Sequence, residues 1–174
     1  MNVSALEEYG LRCAVRLAAL PEGKTLSAPE IAEKEGLSVE YVSKFMLLLK
    51  RADLVKANRG INGGFALSKA PSEISLQAVF EALAGKRTFA GVNSSQFDDE
   101  FCSSFSGKSD TCVRATSCSI RPFWKILSNY IEAFTQEMTL ADLLRPESET
   151  LAKTESIARK NVNNLRSPTI EATV

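Results

Sequence analysis

Between residues 27 and 67 the chain carries an order of starts, stops and reversals that few folds accommodate. Ser27 is a good helix N-cap, and Glu30 three residues on completes a capping box. Pro29 falls in the first turn, where its missing N–H costs nothing. Gly36 stops this short helix, and Ser38 opens another that holds Tyr41, Phe45, Leu48 and Leu49 at helical spacing to about Ala52. Two strand-like runs follow, Leu54–Ala57 and Phe65–Ser68, separated by Asn58-Arg59-Gly60-Ile61-Asn62-Gly63-Gly64. Gly63 and Gly64 permit positive φ, so the chain is expected to reverse there as a hairpin. A helix, a glycine turn, a second helix and a hairpin form a winged helix-turn-helix, whose second helix can enter a DNA major groove.

Around this unit the periodicity predicts a helix over 4–20, with Leu6, Tyr9, Cys13, Leu17 and Leu20 on one stripe, and another from Leu76 to about Leu83, capped by Ser75. The longest helix spans 120–138. Its stripe of Ile120, Phe123, Trp124, Leu127, Tyr130, Ile131, Phe134 and Met138 is broad and aromatic, which fits a dimer interface as well as burial on its own domain. Thr139 caps a last short helix through Leu144, and the polar stretch beyond Pro146 reads as a flexible tail. The expected fold class is mostly α with a small β-hairpin. The expected divisions are a winged helix-turn-helix domain at 1–84, a cysteine-bearing loop at 85–118, a dimerisation helix with a short terminal helix at 119–145, and a tail at 146–174.

Overall charge gives no sign of a nucleic-acid partner: 21 basic residues balance 21 acidic ones, and the pI is about 6.4. The distribution is more informative. From Val39 to Lys69 the basic residues are Lys44, Lys50, Arg51, Lys56, Arg59 and Lys69, against only Glu40 and Asp53. Such a patch can meet phosphate, although an ordinary solvated face has the same pattern. Arg59 at the hairpin tip would project toward a groove or a phosphate. No apolar run reaches the roughly 20 residues of a membrane span, and the first 20 residues lack the layout of a signal peptide, so a cytoplasmic protein is expected.

The chain has four cysteines and no histidine. Cys13 lies on the first helix stripe and reads as a small core residue. Cys102, Cys112 and Cys118 sit in a Ser/Gly/Asp-rich stretch without periodicity, where a segment of this length needs something to pin it. Their gaps match neither zinc ribbons nor bacterial ferredoxins. Three thiolates still suit an iron–sulfur cluster or zinc and exclude calcium and magnesium. Free thiols and a redox disulfide remain open alternatives. With no histidine, no phosphate-cradling glycine loop and no nucleophile–base pair, no enzyme is expected.

Several segments in order resemble the Rrf2 family of winged-helix repressors over about residues 1–144. They are Tyr9-Gly10-Leu11-Arg12 leading to Leu17-Ala18, then Ile31-Ala32 through Gly36-Leu37-Ser38 to Tyr41-Val42, then Leu49-Lys50-Arg51-Ala52-Asp53-Leu54-Val55. Next come Arg59-Gly60-Ile61-Asn62-Gly63-Gly64-Phe65-Ala66-Leu67, three cysteines before the Trp124 helix, and Thr139-Leu140-Ala141-Asp142-Leu143-Leu144. The resemblance implies a homodimer held by the long helix and a palindromic double-stranded DNA operator. It implies that Ser38, Glu40, Tyr41, Ser43 and Lys44 face the major groove, with Arg59 and the wing near the minor groove; Arg51 and Lys56 of the basic patch join this DNA-binding set. It also implies that Cys102, Cys112 and Cys118 bind a 2Fe–2S or 4Fe–4S cluster. Some family members take a histidine three residues after the third cysteine as fourth ligand; here that place is Arg121. Others take a carboxylate from the partner's first helix, and Glu8 matches that position, with a solvated N-terminal helix acid as its plainer reading. The alternative reading is a cluster-free regulator whose cysteines are redox thiols or a structural zinc site.

Overall fold

The computed structural model describes residues 3–58, 60, 63–84 and 118–166, with side chains of 164–166 excepted. Arg59, Cys102, Cys112 and most of the expected cysteine loop lie outside the described residues. In chain order the structure places α1 (Ala5–Ala18), α2 (Ala28–Glu35), α3 (Val39–Arg51), β1 (Val55–Asn58), β2 (Gly64–Leu67), α4 (Leu76–Ala84), α5 (Ile120–Glu137) and α6 (Glu147–Arg166). The mostly helical architecture with one antiparallel hairpin is the winged-helix fold expected from the sequence.

Helix starts follow the chemistry of the N-caps. Ser27 Oγ accepts from Glu30 N–H at 3.4 Å, and the Glu30 carboxylate accepts from Ser27 N–H at 2.7 Å. That bonding, first of all from the Ser27 hydroxyl, holds the Glu30 carboxyl below its usual range. Ser4 and Glu7 form the same reciprocal box on α1. Ser38 and Ser75 cap α3 and α4 through the N–H of Tyr41 and of Ala78, each at 3.2 Å. Gly36 ends α2 with φ 66°, a left-handed conformation that glycine adopts without Cβ strain.

The hairpin pairs Val55 with Leu67 and Asn58 with Gly64. Leu26 joins it as a third edge, exchanging backbone hydrogen bonds with Phe65 at 3.1 and 2.7 Å. The glycines act differently from the sequence expectation. Among the described residues of the turn Gly60, with φ 122°, has the positive φ, and neither Gly63 nor Gly64 does. Gly63 and Gly64 are required by contact instead. A Cβ on Gly63 would stand 2.6 Å from Asn58 O, and one on Gly64 would stand 2.6 Å from Leu26 O.

The core gathers Cys13, Ile31, Phe45, Met46, Val55, Val79 and Leu140, contributed by the helices, the hairpin and the segment after α5. That last segment clasps the winged unit through its backbone. Leu76 N–H donates to Met138 O at 2.8 Å, and Leu140 N–H donates to Ile74 O at 3.0 Å. A buried side-chain bond reinforces the clasp: Thr135 Oγ1 donates to Gln77 Oε1 at 2.6 Å, linking α5 to α4.

Two expectations near the C-terminus are corrected. The short helix after Thr139 is a single 3₁₀ turn, Asp142–Leu144, whose Asp142 carboxylate accepts from both the N–H and the hydroxyl of Thr139. The stretch read as a flexible tail is the helix α6 as far as Arg166. It packs along α5 mainly through Ile157, while Leu151 and Val162 stay exposed. Ile157 and Asn161 are buried on one face, and Lys160 reaches Glu137 of α5 at 2.9 Å.

Candidate nucleic-acid interface

Helix α3 has two sharply different faces. Val42, Phe45, Met46 and Leu49 are wholly buried, which fixes the rotation of the helix about its axis. At about 100° per residue, the opposite side is then a stripe of Glu40, Ser43, Lys44, Leu47 and Arg51, all exposed. The buried phase differs from the sequence expectation. Tyr41, assigned to the apolar spacing, is 41% exposed on the flank, where it meets Phe45 edge-on at 5.0 Å between ring centroids.

The residues expected at DNA fall on or beside this stripe. Glu40, Ser43, Lys44 and Arg51 lie in it, Tyr41 borders it, and Ser38 sits at its N-terminal end with its oxygen already accepting the Tyr41 N–H. Lys56 is exposed on β1, beyond the helix end. Lys44, Lys50, Arg51 and Lys56 make no ion pair among the described residues, so their charges are available to an external anion. The α2–α3 turn that presents them is braced from behind. Glu35 accepts from Arg16 at 2.6 Å and from Arg12 at 3.0 Å, and Arg12 also donates to Glu35 O and lies over the Tyr9 ring. This brace has no motif in the sequence.

The expected cluster ligands are only partly described. Cys118 is half-buried just before α5, and Glu8 is exposed on α1, where it borders a shallow groove of about 350 Å³ with Arg12, Val15, Glu35 and Leu143. Among the described residues no three metal-ligating side chains converge. The donor set itself, three thiols and a carboxylate, is chemically suited to an iron–sulfur cluster. Cys13 is fully buried in the core, where burial, and secondarily the Glu35 charge, push its thiol up to about 11 despite the opposing Arg12. No helix among the described residues is long and apolar enough to cross a membrane.

Comparison with known proteins agrees with this geometry. The family model for Rrf2, described as an iron-dependent transcriptional regulator, matches residues 3–146. Among solved structures, the chain is similar to CymR (YrzC), the global cysteine regulator of B. subtilis, at 24% identity and a TM-score of 0.61, covering 82% of this chain and 95% of that one. It is similar to T. potens IscR at 26% identity and a TM-score of 0.62, covering 83% and 86%. It also resembles the oxidized form of Staphylococcus aureus CymR at 21% identity and a TM-score of 0.57, covering 88% and 97%. With a winged-helix fold and a family match over most of its length, the chain belongs to the Rrf2 family of transcriptional regulators.

Proposed function

We propose that this protein is a homodimeric DNA-binding repressor whose grip on a palindromic operator depends on the state of Cys102, Cys112 and Cys118. The observation that supports it best is the exposed outward stripe of α3, whose Lys44 and Arg51 make no ion pair among the described residues, beside a hairpin wing. Glu40, Tyr41, Ser43 and Lys44 read base edges, with Ser38 at the entrance. Arg51 and Lys56 meet phosphate, and Arg59 approaches the minor groove from the wing. Two such helices must stand about one DNA turn apart to read a palindrome.

The dimer is carried by α5. Its buried residues are small and polar, Ser128 and Thr135, whereas Ile120, Phe123 and Ile126 are each more than half exposed on the other side. A helix that turns its bulk outward needs a second surface to cover it. Cys118 adjoins this helix directly, so a restraint on the cysteines acts on the element that sets the spacing of the two DNA-binding heads.

Cys102, Cys112 and Cys118 would hold an iron–sulfur cluster, with Glu8 of the partner chain as the fourth ligand. When bound, such a cluster supplies a crosslink that oxygen or nitric oxide can remove. The likeness to CymR, one of whose structures is an oxidized form, favours a second reading in which the same cysteines work as redox thiols without a cluster. Purification without air, followed by absorbance with iron and sulfide analysis, separates the two readings. A coloured protein whose absorbance vanishes in Cys112→Ser supports the cluster; a colourless protein that forms a disulfide reversibly supports the thiols. Gel shifts on each state then test regulation. Equal operator affinity with the cysteines bound, reduced and oxidised would overturn both.

A further inference from the structure

The middle of the α3 stripe is occupied by an apolar side chain. Leu47 is 49% exposed, while the four residues that face the core from the same helix are wholly buried. It therefore cannot turn inward without expelling Phe45, Met46 or Leu49. A single exposed leucine is ordinary on a protein surface. This one lies between Ser43 and Lys44 on one side and Lys50 and Arg51 on the other, on the side of the helix opposite the core. From Glu40 to Leu47 the helix rises about 10 Å, against a major groove about 12 Å wide. A helix whose first turn reaches base edges therefore carries Leu47 into the same groove.

We propose that Leu47 is a specificity-determining residue that packs against the 5-methyl group of thymine in the operator. This rests on the proposed DNA-binding role of α3. Arg51 and Lys56 supply sequence-independent attraction to phosphate, and neither distinguishes thymine from cytosine by its methyl group. A branched aliphatic side chain does, because the methyl is the one apolar feature of the groove edge.

The test uses the full-length protein and DNA duplexes recovered by selection from a random pool. Each thymine of a recovered duplex is replaced in turn by uracil, which deletes one methyl group and changes no hydrogen bond. The native protein is expected to lose about fourfold in affinity at one position per half-site, the value of one buried methyl. Leu47→Ala, which alters an exposed side chain, is expected to keep its fold by circular dichroism, bind more weakly and ignore that replacement. Arg51→Ala, at a phosphate contact, is expected to bind more weakly on every duplex and keep the sensitivity. Native protein indifferent to every replacement, recovered sites without thymine, Leu47→Ala as sensitive as native protein, or Leu47→Ala that dissociates the dimer would each overturn the role of Leu47 alone. A pool in which no sequence is enriched would instead overturn the DNA-binding reading beneath it.

Discussion

At the scale of single residues, Cys13 and Glu35 show how position overrides residue type. Both are reactive or charged groups that the fold commits to structure. Cys13 is fully buried on α1 and its thiol sits near 11, so little thiolate forms at neutral pH. Maleimide treatment of the native protein at pH 8, read by peptide mass spectrometry, is expected to leave Cys13 unmodified until denaturant is added. Modification at the rate of Cys118 would contradict its burial. The pH dependence follows from the same displacement. The unfolded thiol ionises near 9.0 and the folded one near 11, so between these values the native state holds more of the proton. Stability is therefore expected to fall as pH rises through that window, and Cys13→Ala should flatten that part of the curve. Glu35 is the opposite case, a carboxylate shared by Arg12 and Arg16, which are themselves 42% exposed. Because water screens those arginines, Glu35→Gln is expected to cost only about 1 kcal/mol in urea denaturation. A larger loss would show that the brace holds the α2–α3 turn more strongly than its exposure suggests.

At the scale of elements, the caps were legible before the structure and the faces were less so. Ser27, Ser38, Ser75 and Gly36 mark their helix ends because a cap is a local bond between residues two or three apart. The phase of α3 is not local. Three consecutive leucines, Leu47, Leu48 and Leu49, satisfy more than one helical phase, and packing against the core selects Leu49 for burial and Leu47 for exposure. The hairpin was legible as a hairpin, yet the roles of Gly60, Gly63 and Gly64 depend on where Leu26 and Asn58 lie. The candidate site divides likewise. Its basic residues could be read from the local charge, whereas the exposure of Leu47 required the opposite face. The joint between α4 and α5 had no sequence signal at all, since Gln77 and Thr135 are 58 residues apart. Thr135→Val keeps the shape but leaves Gln77 Oε1 buried without its donor, and is expected to cost about 1–3 kcal/mol in thermal or chemical unfolding. Adding Gln77→Leu should recover much of that loss, because both polar partners are then gone. A double variant no better than the single one would assign the cost to packing.

At the scale of the whole molecule, α5 presents two surfaces with different fates. One is covered from within the chain by α6, which lies beyond the 3–146 family match. Its sequence looked like a tail because only a few positions are apolar, but Ile157 is 4% exposed and Thr150 Oγ1 donates to Asp142 O at 3.0 Å. Ending the chain after Pro146 is expected to lower unfolding stability by about 2 kcal/mol, the value of one buried isoleucine, and an unchanged denaturation midpoint would show that α6 adds nothing.

The other surface carries Phe123 and Ile126, 59% and 54% exposed, and it is the face assigned to the proposed dimer. If that face is the dimer contact, a charge placed on it must be desolvated on association, whereas in the monomer it stays in water. Phe123→Asp with Ile126→Asp is therefore expected to leave the monomer folded, with unchanged far-ultraviolet dichroism, and to halve the mass measured by light scattering. DNA affinity should fall with it, since a single winged unit reaches only one half-site. A double variant that stays dimeric and binds operator normally would move the dimer contact to another face and remove the proposed route from Cys118 to the DNA-binding heads.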